Sequence, residues 1–131
     1  MSFDWAEYFD LSRYLAGTNS APPSDEAKLR SAISRAYYAT FCKARNLLRD
    51  KLPDKTFPQG ENVHWYVQKE FERRHDRVSK DIGDHLRNLK RYREQADYED
   101  NFPQLLETTK KALYRAGSAL RQLDNLKNLK P

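Results

Sequence analysis

Two arginines and two tyrosines inside one helix-forming run are the first residues of this chain that could do chemistry. In Arg30-Ser31-Ala32-Ile33-Ser34-Arg35-Ala36-Tyr37-Tyr38-Ala39-Thr40-Phe41 the apolar positions repeat at helical spacing. A helix needing only a core would be simpler with Leu and Ala. Arg35 and Tyr38, three apart, are neighbours on one helix face. A guanidinium beside an apolar stripe must reach water or a carboxylate, because an unpaired buried charge is costly. Arg35 therefore reads either as a phosphate-binding or dimer-contacting group, or as half of an intrachain ion pair.

A second group lies at Arg93-Glu94-Gln95-Ala96-Asp97-Tyr98. Arg93 and Asp97 are one helical turn apart and can pair, so Asp97 would orient Arg93. Tyr98 follows at a helix end, where its phenol closes the bundle as a latch or walls a ligand site. Just upstream, Arg87, Lys90 and Arg91 form a cationic strip with Tyr92 interleaved. Phosphate oxygens suit guanidinium forks, and a tyrosine can stack on a base. The same strip also reads as a solvated helix face with internal salt links.

His64, His75 and His85 show no HxxxH or HExxH pattern, so no metal site is expected. His85 and Asp81 stand at i,i+4, a pairing that would favour the charged imidazole. Asp97, Glu99 and Asp100 lack the calcium-loop spacing. Cys42 reads as a small core residue. Neither a glycine-rich phosphate loop nor a serine-nucleophile motif is present, and no cofactor is expected.

The elements that must position these groups are helical. The chain has only 4 glycines and no β-branched runs, and apolar residues recur at helical spacing almost throughout. A first helix is expected from about Asp4 to Ala16, with Trp5, Tyr8, Phe9 and Leu15 inward. Gly17-Thr18-Asn19 ends it, and Ala21-Pro22-Pro23-Ser24 connects. Ser24 is placed to N-cap a long second helix reaching about Lys51, with Asp25 and Glu26 at its positive end. Its wide stripe holds Leu29, Ile33, Ala36, Thr40, Ala44 and Leu47, broadened by Tyr37, Phe41 and Leu48. A third helix spans Glu61 to about Arg74, with Val63, Tyr66, Val67 and Phe71 inward. A fourth starts near Asp76 or Arg77, burying Val78, Ile82, Leu86, Leu89 and Tyr92. A fifth takes Pro103 in its first turn and buries Leu106, Thr109, Leu113, Ala116, Leu120 and Leu123. The expected architecture is all-α, an antiparallel up-and-down four-helix bundle with an additional short helix.

At 131 residues the chain is read as a single domain, 1–131, with one core. Mean hydropathy is −1.00, but 8 Tyr, 6 Phe and 2 Trp argue against disorder. No apolar run reaches spanning length and no signal-peptide pattern opens the chain. A single cysteine suits a reducing compartment, so a cytoplasmic location without membrane contact is expected. The net charge of +5 permits phosphate-bearing partners without requiring them.

The wording Ala32–Phe41 resembles the signature of the HEPN (higher eukaryote and prokaryote nucleotide-binding) family. R-x-x-A-D-Y over Arg93–Tyr98, with His64 opening the intervening helix, is similar to a group of small prokaryotic HEPN proteins. The resemblance runs from about Ser24 to Leu123 and implies an antiparallel helical bundle, often a homodimer. It further implies a nucleotidyltransferase-type antitoxin as partner in a toxin–antitoxin-like or defence pair. Ribonuclease members of the family carry Arg, four to six residues, then His. After Arg93 that window holds Tyr98, Glu99 and Asp100, and Arg77 and His85 are separated by seven residues. The ribonuclease motif is therefore absent, and Tyr98 is a poor base at a phenolic pKa near 10.

Three functions follow as expectations. In the first, a nucleotide or RNA phosphate binds at Arg35, Tyr38, Arg93, Asp97 and Tyr98, with Arg87, Lys90 and Arg91 extending the site electrostatically. In the second, the same aromatics and Arg35 form a protein-interaction or dimerisation surface. In the third, a metal-independent ribonuclease uses Arg93 with a displaced base, His64 or His85.

Overall fold

A computed structural model of the chain describes residues 3–6, 15, 24–126 and 129. The fold is an all-α four-helix bundle: α1 (Asp25–Lys51), α2 (Asn62–Glu72), α3 (Arg77–Tyr98) and α4 (Leu105–Asn125). The helix expected over 4–16, including Tyr8 and Phe9, and the Gly17-Thr18-Asn19 stop fall almost wholly outside the described residues. Among the described residues no helix is long and apolar enough to cross a membrane.

The helix starts follow from capping chemistry. Ser24 Oγ accepts from the Ala27 amide at 3.1 Å, and Asp76 carboxylate accepts from the Ser79 amide at 2.9 Å. Each satisfies one of the amides a helix start leaves orphaned. Gly60, at φ +68, makes the left-handed turn that leads into α2. This turn sets His64 in the first turn of that helix.

α3 is the element shared by the other helices. Arg30 near the start of α1 reaches Ala96 near the end of α3, Gln122 late in α4 reaches Asp81 early in α3, and Glu72 closing α2 meets Arg87. α3 thus runs antiparallel to α1, α2 and α4. The core between them holds Ile33, Tyr37, Phe41, Leu48, Val67, Phe71, Ile82, Leu86, Leu89 and Leu123.

The expected face of α4 is corrected. Leu106 and Leu113 are 52% and 54% exposed, while Thr109, Ala112, Ala116, Ala119 and Leu123 are buried. A row of small residues lets α4 lie close against the long α1, so the helix is turned to present alanines rather than leucines. Pro103 precedes α4 instead of lying in its first turn, and Gln104 at φ 57 is the N-cap residue. Val78, expected inward, is exposed at the start of α3, where it lines an open groove with Ser118, Arg121 and Gln122 of α4.

Candidate functional site

The site begins with a side chain that is not itself in it. Arg30 is completely buried, on the same stripe as Ile33 and Tyr37. Its Nη1 donates to the carbonyls of Ala96 and Glu99, each at 2.8 Å, and Nη2 donates to that of Asp100 at 3.1 Å. Those carbonyls lie at and just beyond the end of α3, where the helix cannot satisfy them itself. Nε donates to Glu26 at 3.0 Å, which supplies the countercharge. Phe3 and Trp5 lie over the guanidinium at 4.4 and 5.1 Å. Phe3 donates its amide to Asp100 and Trp5 its indole N–H to the same residue's carboxylate. The end of α3 is therefore fixed relative to α1, and with it Asp97 and Tyr98.

Beside this anchored end lies a cleft of about 330 Å³ lined by Tyr38, Glu61, His64, Lys90, Arg93, Glu94 and Tyr98. Arg93 is nearly buried at 8% exposure. Its guanidinium lies 5.3 Å from the Tyr37 ring centroid and 5.5 Å from that of Tyr38. Nη1 stands 3.7 Å from Asp97 Oδ2, a loose ion pair, and Nε has no hydrogen-bond partner among the described residues. Asp97 also accepts from the Ser34 hydroxyl at 3.3 Å. Burial raises the Asp97 carboxyl above its ordinary range, with Arg93 pulling the other way.

His64 is held from two sides. Its ring stacks on Phe41 with centroids 4.1 Å apart, and Nδ1 is 2.6 Å from the Tyr37 hydroxyl. Burial, followed by the charges of Arg93 and Lys90, lowers its pKa below the ordinary 6.5, so the imidazole is neutral at pH 7. Burial also lifts the Tyr37 phenol far above its usual value, so that hydroxyl keeps its proton. Both tautomers of His64 fit the bond. One accepts the phenolic proton at Nδ1, and the other donates Nδ1–H and leaves Nε2 bare.

The lining thus combines two cations, two exposed carboxylates, two phenols and one neutral imidazole. An ammonium and a guanidinium suit phosphate, the carboxylates can accept from ribose or base donors, and the exposed tyrosines offer π-faces. Among the described residues no cluster of three or more His, Cys, Asp or Glu side chains could hold a metal ion.

Of the residues the sequence singles out, Tyr38, Arg93, Asp97 and Tyr98 come together, Asp97 as the partner of Arg93. His64, one of two bases considered, joins them. Arg35 does not line the cleft: it is exposed and donates from Nε to Ser31 Oγ at 3.2 Å. Of the helical strip only Lys90 is present. Arg87 is tied to Glu72 at 2.6 Å, and Arg91 donates to Asn88 and lies over Tyr92.

His85 lies on a separate groove between α3 and α4, and its expected pairing with Asp81 is corrected. Its Nδ1 is 3.1 Å from Arg115 Nη1, while Asp81 pairs with Arg77. Since guanidinium can only donate, Nδ1 accepts. Burial and Arg115 lower the imidazole pKa, the reverse of the charged form expected.

Sequence reasoning gave no site role to Arg30, Tyr37, Glu61 or Glu94. Arg30 leaves a signal in hindsight, since it falls three residues before Ile33 on the core stripe. Glu94 sits beside Arg93 in the motif, but the side chain that matters there is set by the neighbouring helix. The chain matches no protein-family model, no curated protein and no solved structure.

Proposed function

We propose that the chain is a HEPN-like domain whose cleft binds the phosphate and sugar of a nucleotide or of an RNA strand. One observation carries this reading. The three stretches behind the resemblance, around Tyr38, His64 and Arg93–Tyr98, converge on a single cleft from three helices. Lys90 and Arg93 take the phosphate, with Asp97 holding Arg93 from behind. Tyr38 and Tyr98 flank the base, and Glu61 and Glu94 accept from its donors or from the ribose. The homodimer and the nucleotidyltransferase-type antitoxin partner belong to the same proposal through the resemblance.

The test is retention of RNA and of mononucleotides on pure protein, beside Lys90→Ala and Arg93→Ala variants checked for folding. A charge-assisted hydrogen bond contributes about 1.5–3 kcal/mol, so each variant should bind about tenfold more weakly or worse. Unchanged retention in both variants would remove the assignment. Binding that ignores salt would favour a protein-interaction surface instead, because phosphate binding weakens steeply as salt rises.

A second reading has its own support, the neutral His64 imidazole beside Arg93. In the tautomer that donates Nδ1–H to Tyr37, Nε2 can take the proton of a ribose 2′-hydroxyl. The oxygen then attacks the adjacent phosphorus and the P–O5′ bond breaks. Products are a 2′,3′-cyclic phosphate and a 5′-hydroxyl protonated from solvent, while Lys90 and Arg93 steady the charge on phosphorus. Cleavage lost in His64→Ala with RNA retention preserved would support this chemistry. RNA left intact by the native protein would reject it.

A further inference from the structure

We infer that the outer face of α1 is a track for the backbone of a single-stranded polynucleotide, continuing from the cleft to Arg45 and Arg49. This rests on the phosphate-binding reading of the cleft and narrows its ligand from a mononucleotide to a strand.

Several helical arginines of this protein are matched with acids, while Arg35, Arg91 and Arg121 each rest on one neutral side chain, Ser31, Asn88 and Ser118. Arg73, Arg77, Arg87 and Arg115 each have a carboxylate oxygen within 3.5 Å. Arg45 and Arg49 have none among the described residues. Arg45 Nε and Nη2 lie 3.2 and 3.1 Å from Asn46 Oδ1, and Arg49 Nη2 lies 3.0 Å from the same atom. Two like charges thus converge on one neutral oxygen. Their repulsion has no countercharge to offset it, and a phosphate shared by both guanidiniums would supply one.

The placement is continuous with the cleft. At 3.6 residues per turn, Tyr38, Arg45 and Arg49 fall within about 40° of helix face, with Arg35 beside them. Arg45 and Arg49 stand about 10 and 16 Å beyond Tyr38 along the axis, at 1.5 Å per residue. No Asp or Glu lies on that face from Ser31 to Arg49. The Phe41 ring bridges the two regions: His64 stacks on it, and the Arg45 guanidinium is 5.7 Å from its centroid. A mononucleotide filling the cleft would leave both arginines unused. A strand would carry its next phosphates over them.

The track differs from the extension expected along α3. There Arg87 is neutralised by Glu72 and Arg91 points to Asn88, which leaves Lys90 to serve the cleft alone. The cation-rich route out of the cleft is along α1.

The experiment measures anisotropy of a labelled RNA 12-mer and a DNA 12-mer of the same sequence, with adenosine monophosphate binding followed separately by NMR. The variants are the double Arg45→Ala, Arg49→Ala and the single Asn46→Asp, which places a carboxylate between the two guanidiniums without removing either. Both should weaken strand binding at least fivefold and leave mononucleotide binding unchanged. For the double variant the log–log salt slope should flatten by about 1.4, at about 0.7 per lost single-strand phosphate contact. RNA and DNA share the backbone, so equal losses fit the track, and a loss confined to RNA assigns the strand as RNA. Strand affinity and salt slope unchanged in both variants would overturn the track. If Lys90→Ala alone weakened the strand, the cleft reading would stand without the track. If the native protein bound neither mononucleotide nor strand, both would fall.

Discussion

The Tyr37 hydroxyl and His64 Nδ1 stand 2.6 Å apart and tie the middle of α1 to the first turn of α2. Phenol and imidazole are both neutral at pH 7, so the bond depends on neither charge. Tyr37→Phe keeps the ring against Phe41 and removes only the hydroxyl. Loss of one such bond should cost about 1 kcal/mol, read as a lower urea midpoint. Either tautomer of His64 can make this bond, and its loss should change the tautomer balance, so the variant's imidazole 15N shifts should move. Unchanged shifts and stability would show that the hydroxyl does not hold the ring.

Acidification should destabilise the fold through the imidazoles. His64 and His85 both have folded-state pKa values below 6.5. The unfolded chain therefore binds protons first as pH falls through 6.5, and the folded state resists until its own lower pKa is reached. Their stabilising contribution is present above 6.5 and is lost across that window. The urea midpoint should drop between pH 7 and pH 5, modestly, because both rings are partly exposed. A His64→Gln, His85→Gln double variant should show a flatter profile. Asp97, whose pKa is raised, acts with the opposite sign and is common to both proteins. A profile equally steep in the double variant would place the loss on other groups.

Arg30 should be the most costly surface-type residue to replace. Arg30→Met fills much of the same volume but abandons the carbonyls of Ala96, Glu99 and Asp100. Leaving the buried Ala96 carbonyl unsatisfied costs about 1–3 kcal/mol, and the two part-buried bonds to Glu99 and Asp100 add less, so a loss of about 3 kcal/mol is expected. Domains of this size are stable by about 5–15 kcal/mol, so the loss is a large fraction of the total and should be plain in the urea midpoint. Arg30→Lys keeps the charge but cannot fork to three carbonyls, and should fall between. A Met variant within 1 kcal/mol of the native protein would mean that the end of α3 is held by other contacts.

Much of this fold was legible in the sequence because caps and period carry it. Ser24 and Asp76 mark helix starts through one short-range hydrogen bond each, and the stripe through Ile33, Tyr37, Phe41 and Leu48 is set by local spacing. The face of α4 was not legible. Leu106 and Leu113 share a helical period with Thr109 and Ala116, and bulk favours the leucines until a close neighbour demands alanine. The site was half legible. Arg93, Asp97 and Tyr98 belong to one short segment, and Tyr38 to another that resembles a family signature. Arg30 was not, because its partners are backbone carbonyls 66–70 residues away, and a carbonyl has no sequence. The paired guanidiniums on Asn46 were hidden for a related reason: their distinction is a missing carboxylate in three dimensions.

Gly83 offers a test of how tightly α2, and so His64, is held against α3. In an open helix Gly→Ala gains about 1 kcal/mol from backbone propensity. Here a Cβ at position 83 would lie 2.7 Å from Glu72 Cγ, 2.9 Å from Glu72 N and 3.1 Å from its Cα. The Cγ can swing aside only by disturbing Glu72, which holds Arg87 at 2.6 Å and Lys69 at 3.2 Å. The backbone atoms can yield only if the end of α2 moves. Such overpacking costs about 1–3 kcal/mol, which outweighs the propensity gain. Gly83→Ala should therefore lower stability by about 1 kcal/mol and displace α2, so the His64 pKa should shift in an NMR titration. A variant as stable as the native protein, with His64 unmoved, would mean that this helix crossing has slack and that the Tyr37 bond alone positions the imidazole.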